Sequence, residues 1–193
     1  MKPHRRVALL LAVALSVSSS AWAAPVVGRA FPAFAVDDIG RTAHTQRDLL
    51  GRWTVILAMT DKDIGPAITA WYRRVEPLLP VGARTLTFAA LDLFPLVPTG
   101  TIMSEARGTS PRCRWGEVWL SRDGSLSSSL GLVEDELPWV FVVDPAGRVV
   151  ESIHANLTDA GLARVRAALS SARPQPGLPE ACPTAARDAG APR

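Results

Sequence analysis

The sequence predicts an α/β domain in three layers, a central mixed sheet with helices on both faces. Three observations carry this. Residues 54–59 (Thr-Val-Ile-Leu-Ala-Met) and 86–91 (Leu-Thr-Phe-Ala-Ala-Leu) are almost continuously apolar, as in strands covered on both faces. Between them the apolar spacing turns helical, with Ile64, Ile68, Trp71, Tyr72, Val75, Leu78 and Leu79 on one face. A strand, helix, strand unit of this kind makes its two strands parallel, joined by a right-handed crossover. Later, Val140-Phe141-Val142-Val143, the turn Asp144-Pro145-Ala146-Gly147 and Arg148-Val149-Val150 read as a hairpin, which adds antiparallel pairing.

The ends of the chain are read separately from the domain. Residues 2–6 are basic, residues 7–17 apolar, and an Ala21-Trp22-Ala23 site follows, the layout of a secretory signal peptide over residues 1–23. The apolar run is too short for the roughly 20 residues that cross a bilayer, so no membrane anchor is expected after cleavage. The expected location is secreted or, in a bacterium, periplasmic. Removing Lys2, Arg5 and Arg6 leaves 18 basic residues against 18 acidic ones. A neutral chain without a basic run gives no electrostatic footprint for nucleic acid. Residues 24–172 suit one domain. Residues 173–193 are rich in Pro, Ala and Gly and have too little apolar surface to offset ordering, so they are expected to be extended or disordered.

Within the domain, residues 31–36 alternate before Asp37-Asp38-Ile39-Gly40, suggesting an edge strand entering a hairpin. Leu49-Leu50-Gly51-Arg52-Trp53 leads into the first central strand. The helix that follows starts at Gly65-Pro66, since proline is favoured in a first helical turn, and ends near Pro77 and Pro80. Residues 84–91 form the next strand. Pro95, Pro98 and Pro111 interrupt residues 93–112, leaving room for a short helix at 101–106. Residues 117–120 precede the turn Arg122-Asp123-Gly124. After the hairpin, Thr158 caps a helix with Leu162, Val165 and Leu169 inward, and Leu157 with Leu162 has the spacing of a hydrophobic staple.

Three segments, Val27-Gly28-Arg29-Ala30-Phe31-Pro32-Ala33-Phe34, Leu50-Gly51-Arg52-Trp53-Thr54-Val55 and the run from Leu137-Pro138-Trp139 to Arg148-Val149-Val150, together resemble the redoxin branch of the thioredoxin superfamily, which includes periplasmic thiol-disulfide oxidoreductases. The resemblance covers residues 26–169 and implies a thioredoxin-like fold. It implies a groove in which Leu137 and Pro138 face the turn Asp61, Lys62, Asp63, Ile64 and Gly65. Pro138 matches a proline that is cis in the family; the sequence leaves its isomer open. Where the family carries its cysteine pair, this chain reads Thr60-Asp61-Lys62-Asp63-Ile64-Gly65-Pro66. Disulfide exchange needs a thiolate nucleophile, which neither carboxylate nor amine replaces. Trp139 follows the proline; it fills the groove, forms an aromatic platform for a peptide, or points into the core between Leu137 and Phe141.

Cys113 and Cys182 are the only cysteines. In an oxidising compartment two cysteines usually pair. That bridge would close a loop of about 69 residues, worth roughly 4 kcal/mol in the chain-entropy model. Alternatively Cys113, between Arg112 and Arg114, is the thiolate of a relocated oxidoreductase or peroxidase site. Asp61 and Asp63 make an incomplete ligand set for a hard cation. His44 and His154 stand apart with no companion motif, and a copper site of the kind some relatives carry would need the missing cysteines. No metal and no cofactor are expected. Two functions stay open: a binding module for extended polypeptide or an envelope partner, with a degenerate active site, and a redoxin-like enzyme using Cys113.

Overall fold

The structure is a computed structural model that describes residues 24–93 and 99–175; the expected signal peptide at residues 1–23 and the tail after Gln175 lie outside the described residues. Seven strands form one mixed sheet: β1 Ala35–Asp38, β2 Ala43–Thr45, β3 Thr54–Met59, β4 Arg84–Ala90, β5 Val118–Ser121, β6 Trp139–Val143 and β7 Val149–His154, in the order β2-β1-β5-β4-β3-β6-β7. β3, β4 and β5 are mutually parallel, while β6 runs antiparallel to β3 and β7 to β6. The helices are α1 Gly65–Val75, α2 Thr99–Thr109, α3 Ser125–Leu130 and α4 Asp159–Leu169.

The continuous apolarity of the central strands is explained by two cores. In β3, Val55 and Leu57 face α1 and α4, meeting Ile68, Trp71, Tyr72, Val75, Leu162 and Val165. Ile56 and Ala58 face the other way, toward Phe31, Phe34, Phe88, Trp119, Phe141 and the α3 residues Leu126 and Leu130. β6 divides likewise, with Val140 and Val142 in the first core and Trp139, Phe141 and Val143 in the second. α2 places Met103 against Ala89, Leu91 and Leu120. Among the described residues no helix is long and apolar enough to cross a membrane.

The expected strand at 31–36 lies instead at Ala35–Asp38, and it is not the edge, because β2 pairs outside it. The reason is Asp38: its buried carboxylate accepts from Thr42 N–H at 2.8 Å and meets His44 Nε2 at 3.0 Å, carrying the strand into what the sequence marks as a turn. Phe31 and Phe34 pack edge to face in the core ahead of it. The short helix expected at 101–106 extends over Thr99–Thr109. α3 was not expected at all. The returning hairpin strand continues past Val150 to His154. α4 starts as expected, with Thr158 Oγ1 accepting from Gly161 N–H at 3.0 Å.

Candidate functional site

The turn at residues 61–65 follows the C-terminal end of β3, and residues 137–139 lead into β6, its antiparallel neighbour; Ala58 pairs with Trp139. Sheet register therefore brings these two predicted segments side by side. Asp61 Oδ1 accepts from Asp63 N–H at 2.8 Å and so caps the 3-10 turn Lys62–Ile64. Ile64 is buried. Lys62 and Asp63 point outward, 67 % and 78 % exposed, with Nζ 2.7 Å from the Asp63 carboxylate. That contact raises the Lys62 pKa above its ordinary value, so the amine stays protonated and is no nucleophile.

Between the two segments stands Thr60, 2 % exposed. Its hydroxyl donates toward the carbonyls of Val133 (3.2 Å) and Asp135 (3.3 Å) and accepts from Asp135 N–H (3.2 Å). The Asp135 carboxylate then turns back, accepting from Leu137 N–H at 2.9 Å and meeting His154 Nε2 at 3.0 Å. A carboxylate accepting this bond requires the proton on Nε2. The His154 ring lies flat on Trp139, centroids 3.8 Å apart and planes 5° apart, and Trp139 stacks in turn on Phe141. Trp139 is buried in the core, 8 % exposed, its Nε1 without a hydrogen-bond partner. The aromatic-platform alternative does not apply to that geometry. No described residue has a cis peptide bond, Pro138 included, unlike the family proline it matches.

Thr60, Asp135 and the His154–Trp139 stack are the residues that sequence reading missed. Nothing adjacent in the chain gives Thr60 a role, because its partners lie 73 and 75 residues away. His154 was set aside as isolated; pairing it with Trp139 across β6 and β7 needed the full length of β7.

Cys113 sits on a 3-10 turn, Arg112–Glu117, that enters the N-terminal end of β5. Because β3, β4 and β5 are parallel, this is the end of the sheet opposite the 61–65 turn, so the candidate thiol does not join the candidate groove. Cys113 is disulfide-bonded, and no described cysteine is a free thiol. Cys182 lies outside the described residues. The arginines beside Cys113 are engaged elsewhere. The buried Arg114 guanidinium holds Glu76 at 2.6 Å and Glu117 at 3.4 Å and lies over the Tyr72 ring, and Arg112 lies over Trp115. Burial pushes the Glu117 carboxyl above the usual range, against the pull of Arg114.

At the other end of the sheet, past the C-terminal ends of β4 and β5, lies a shallow open cleft of about 480 Å³, lined by Asp92, Gly124, Ser127, Ser128, Gly131, Leu132 and Glu134. Beside it, Asp123 accepts from Ser125 Oγ (2.6 Å), Ser121 Oγ (2.8 Å) and Ser125 N–H (3.1 Å), which lowers its pKa to about 2.

No family model matches the sequence, and no curated protein does. Solved structures do match. Yeast Sco1 superposes with a TM-score of 0.53 at 15% identity, over 76% of this chain and 97% of that one. BsSco, a member of the Sco family of cytochrome c oxidase assembly proteins, gives 0.53 at 11%, over 77% and 98%. A Chlorobium tepidum protein assigned as the thiol:disulfide interchange protein DsbE gives 0.52 at 16%, over 76% and 100%. The fold is thioredoxin-like. At such identities the likeness extends to the fold alone. One yeast Sco1 structure has copper bound; in this thioredoxin-like chain the 60–66 turn has no cysteine. No group of three or more His, Cys, Asp or Glu placed to hold a metal occurs among the described residues, so the donors present do not fit such an ion.

Proposed function

We propose that this is an exported thioredoxin-fold binding protein that recognises an extended polypeptide or an envelope partner and does not exchange thiols. One observation carries the reading. The end of β3 offers the buried Thr60 hydroxyl and an exposed charged tip, Lys62 and Asp63, where thiol chemistry needs a thiolate. Cys113 lies at the opposite end of the sheet, away from the 61–65 turn, so it does not restore a thiolate to the candidate groove. Export is supported by the signal-like residues 1–23 and by the disulfide at Cys113, which persists in oxidising compartments.

In this reading the expected groove is latched from within the chain. Asp135 already holds the Leu137 N–H, the backbone donor an extended chain would take by β-augmentation. A partner's carbonyl would replace the carboxylate, so affinity is reduced by the cost of opening. The test is selection from an unbiased library of short peptides on the mature protein. Selected peptides should bind Asp135→Ala more tightly than wild type and lose binding to Leu137→Pro, which lacks the N–H. Failure to select any peptide, or binding indifferent to both substitutions, refutes the reading.

A further inference from the structure

We propose that the Glu151–Arg164 ion pair guards the outer edge of β7 by occupying the hydrogen-bonding positions of an absent eighth strand, and that breaking it opens this edge to a second copy of the chain. β7 ends the sheet, so one side of its backbone has no strand neighbour. An uncovered strand edge is a template on which another chain pairs. Val149–His154 reads Val-Val-Glu-Ser-Ile-His, without the proline or lysine that commonly blunts such an edge.

The edge is covered in two steps. At the start of the strand, residues 28–29 act as the neighbour: Gly28 N–H donates to Val149 O at 2.8 Å, and Val149 N–H to Arg29 O at 2.9 Å. A bulge follows. Val143 faces Val149 and Val142 faces Glu151, so Val150 is the extra residue and the alternation shifts by one. The next backbone position turned outward is Ser152. Its N–H donates to Glu151 Oε1 at 2.8 Å, and its carbonyl accepts from Arg164 Nη2 at 2.9 Å. These are the two bonds that a facing residue exchanges in an antiparallel pair. The carboxylate stands in for a partner strand's carbonyl, and the guanidinium for its amide.

The guard is itself fixed. Arg164, on α4, donates Nε to Glu151 Oε2 at 3.1 Å and Nη2 to Oε1 at 2.7 Å, a bidentate pair. Burial pushes the Glu151 carboxyl up, but the bonds from Arg164 and Ser152 N–H together with the Arg164 charge outweigh it and hold the group below its ordinary value. Glu151 therefore stays an ionised acceptor at neutral pH. Beyond Ser152, Ala155 N–H returns to Pro138 O on the β6 side, which leaves His154, the last residue of the strand, as the next outward position.

Sedimentation equilibrium of the mature protein tests the proposal. Wild type should stay monomeric at concentrations where the Glu151→Ala, Arg164→Ala double variant forms a dimer. Adding Ser152→Pro, which has no N–H to offer and is tolerated on an edge, should return that variant to monomer. Because Arg164 is half-exposed, the pair adds little to stability, so the urea midpoint should barely move; this separates edge pairing from association of unfolded chains. Hydrogen exchange gives a second readout. The Ser152 amide should be protected in wild type and exchange about tenfold or more faster in Glu151→Ala, with Ile153 unchanged. A folded double variant that stays monomeric, a dimer that survives Ser152→Pro, or a Ser152 amide already unprotected in wild type each overturns the proposal.

Discussion

Replacing Thr60 by valine keeps the side chain's shape and branching while deleting the hydroxyl that ties the end of β3 to residues 133–135. Thr60 is 2 % exposed, and Oγ1 makes contacts of 3.2, 3.3 and 3.2 Å to Val133 O, Asp135 O and Asp135 N. A net hydrogen bond contributes about 1 kcal/mol, and stranding a buried donor costs about 1–3 kcal/mol. Asp135 is only half-buried, so water recovers part of the loss. The expected destabilisation is about 2 kcal/mol, or about 4–8 °C in Tm for a domain of this size. Urea unfolding should show a lower midpoint at unchanged slope, since the surface exposed on unfolding stays the same. Exchange at the Asp135 amide should accelerate by more than the global loss, because its acceptor is gone. A change under about 0.5 kcal/mol, within the range of ordinary surface substitutions, with Asp135 exchange unaltered, would refute the pinning of this loop by Thr60.

Other substitutions probe the remaining parts. Arg114→Met leaves Glu76 and Glu117 without the guanidinium that holds both; breaking such a buried set costs about 3–5 kcal/mol, measured by chemical unfolding. Gly131 ends α3 at φ +60°, so Gly131→Ala should cost about 1–2 kcal/mol for the left-handed conformation. Asp123 has its folded pKa depressed to about 2. Its contribution to stability is therefore present above the ordinary aspartate range and lost as pH falls through about 2. Carboxyl chemical-shift titration should place its midpoint near there, and Ser125→Ala should move it up toward the ordinary value.

Elements whose cause is local were legible in the sequence. The helical face from Ile64 to Val75, the two-sided apolarity of β3 and β4, the Asp144–Gly147 turn and the Thr158 cap each follow from neighbours in the chain. α3 escaped because Ser-Leu-Ser-Ser-Ser-Leu is a poor helix by propensity, its serines competing with the backbone. It forms because Leu126 and Leu130 are fully buried one turn apart and left-handed glycines bound it at both ends. β1 shifted because the Asp38 carboxylate finds Thr42 and His44, a partnership visible only once β2 is placed. In the candidate site the missing thiols were plain from the sequence. The Thr60, Asp135 and His154 network was not, because each bond joins residues brought together by the β3–β6–β7 register rather than by spacing.

The central claim, that the fold is present without its redox chemistry, meets its most direct test in insulin reduction. Purified mature protein and Cys113→Ser would be compared with a thioredoxin that carries its cysteine pair, all with dithiothreitol. The account predicts that neither form accelerates insulin precipitation above the reductant alone while the control does. Turnover by the wild type that disappears in Cys113→Ser would contradict it and make Cys113 the working nucleophile.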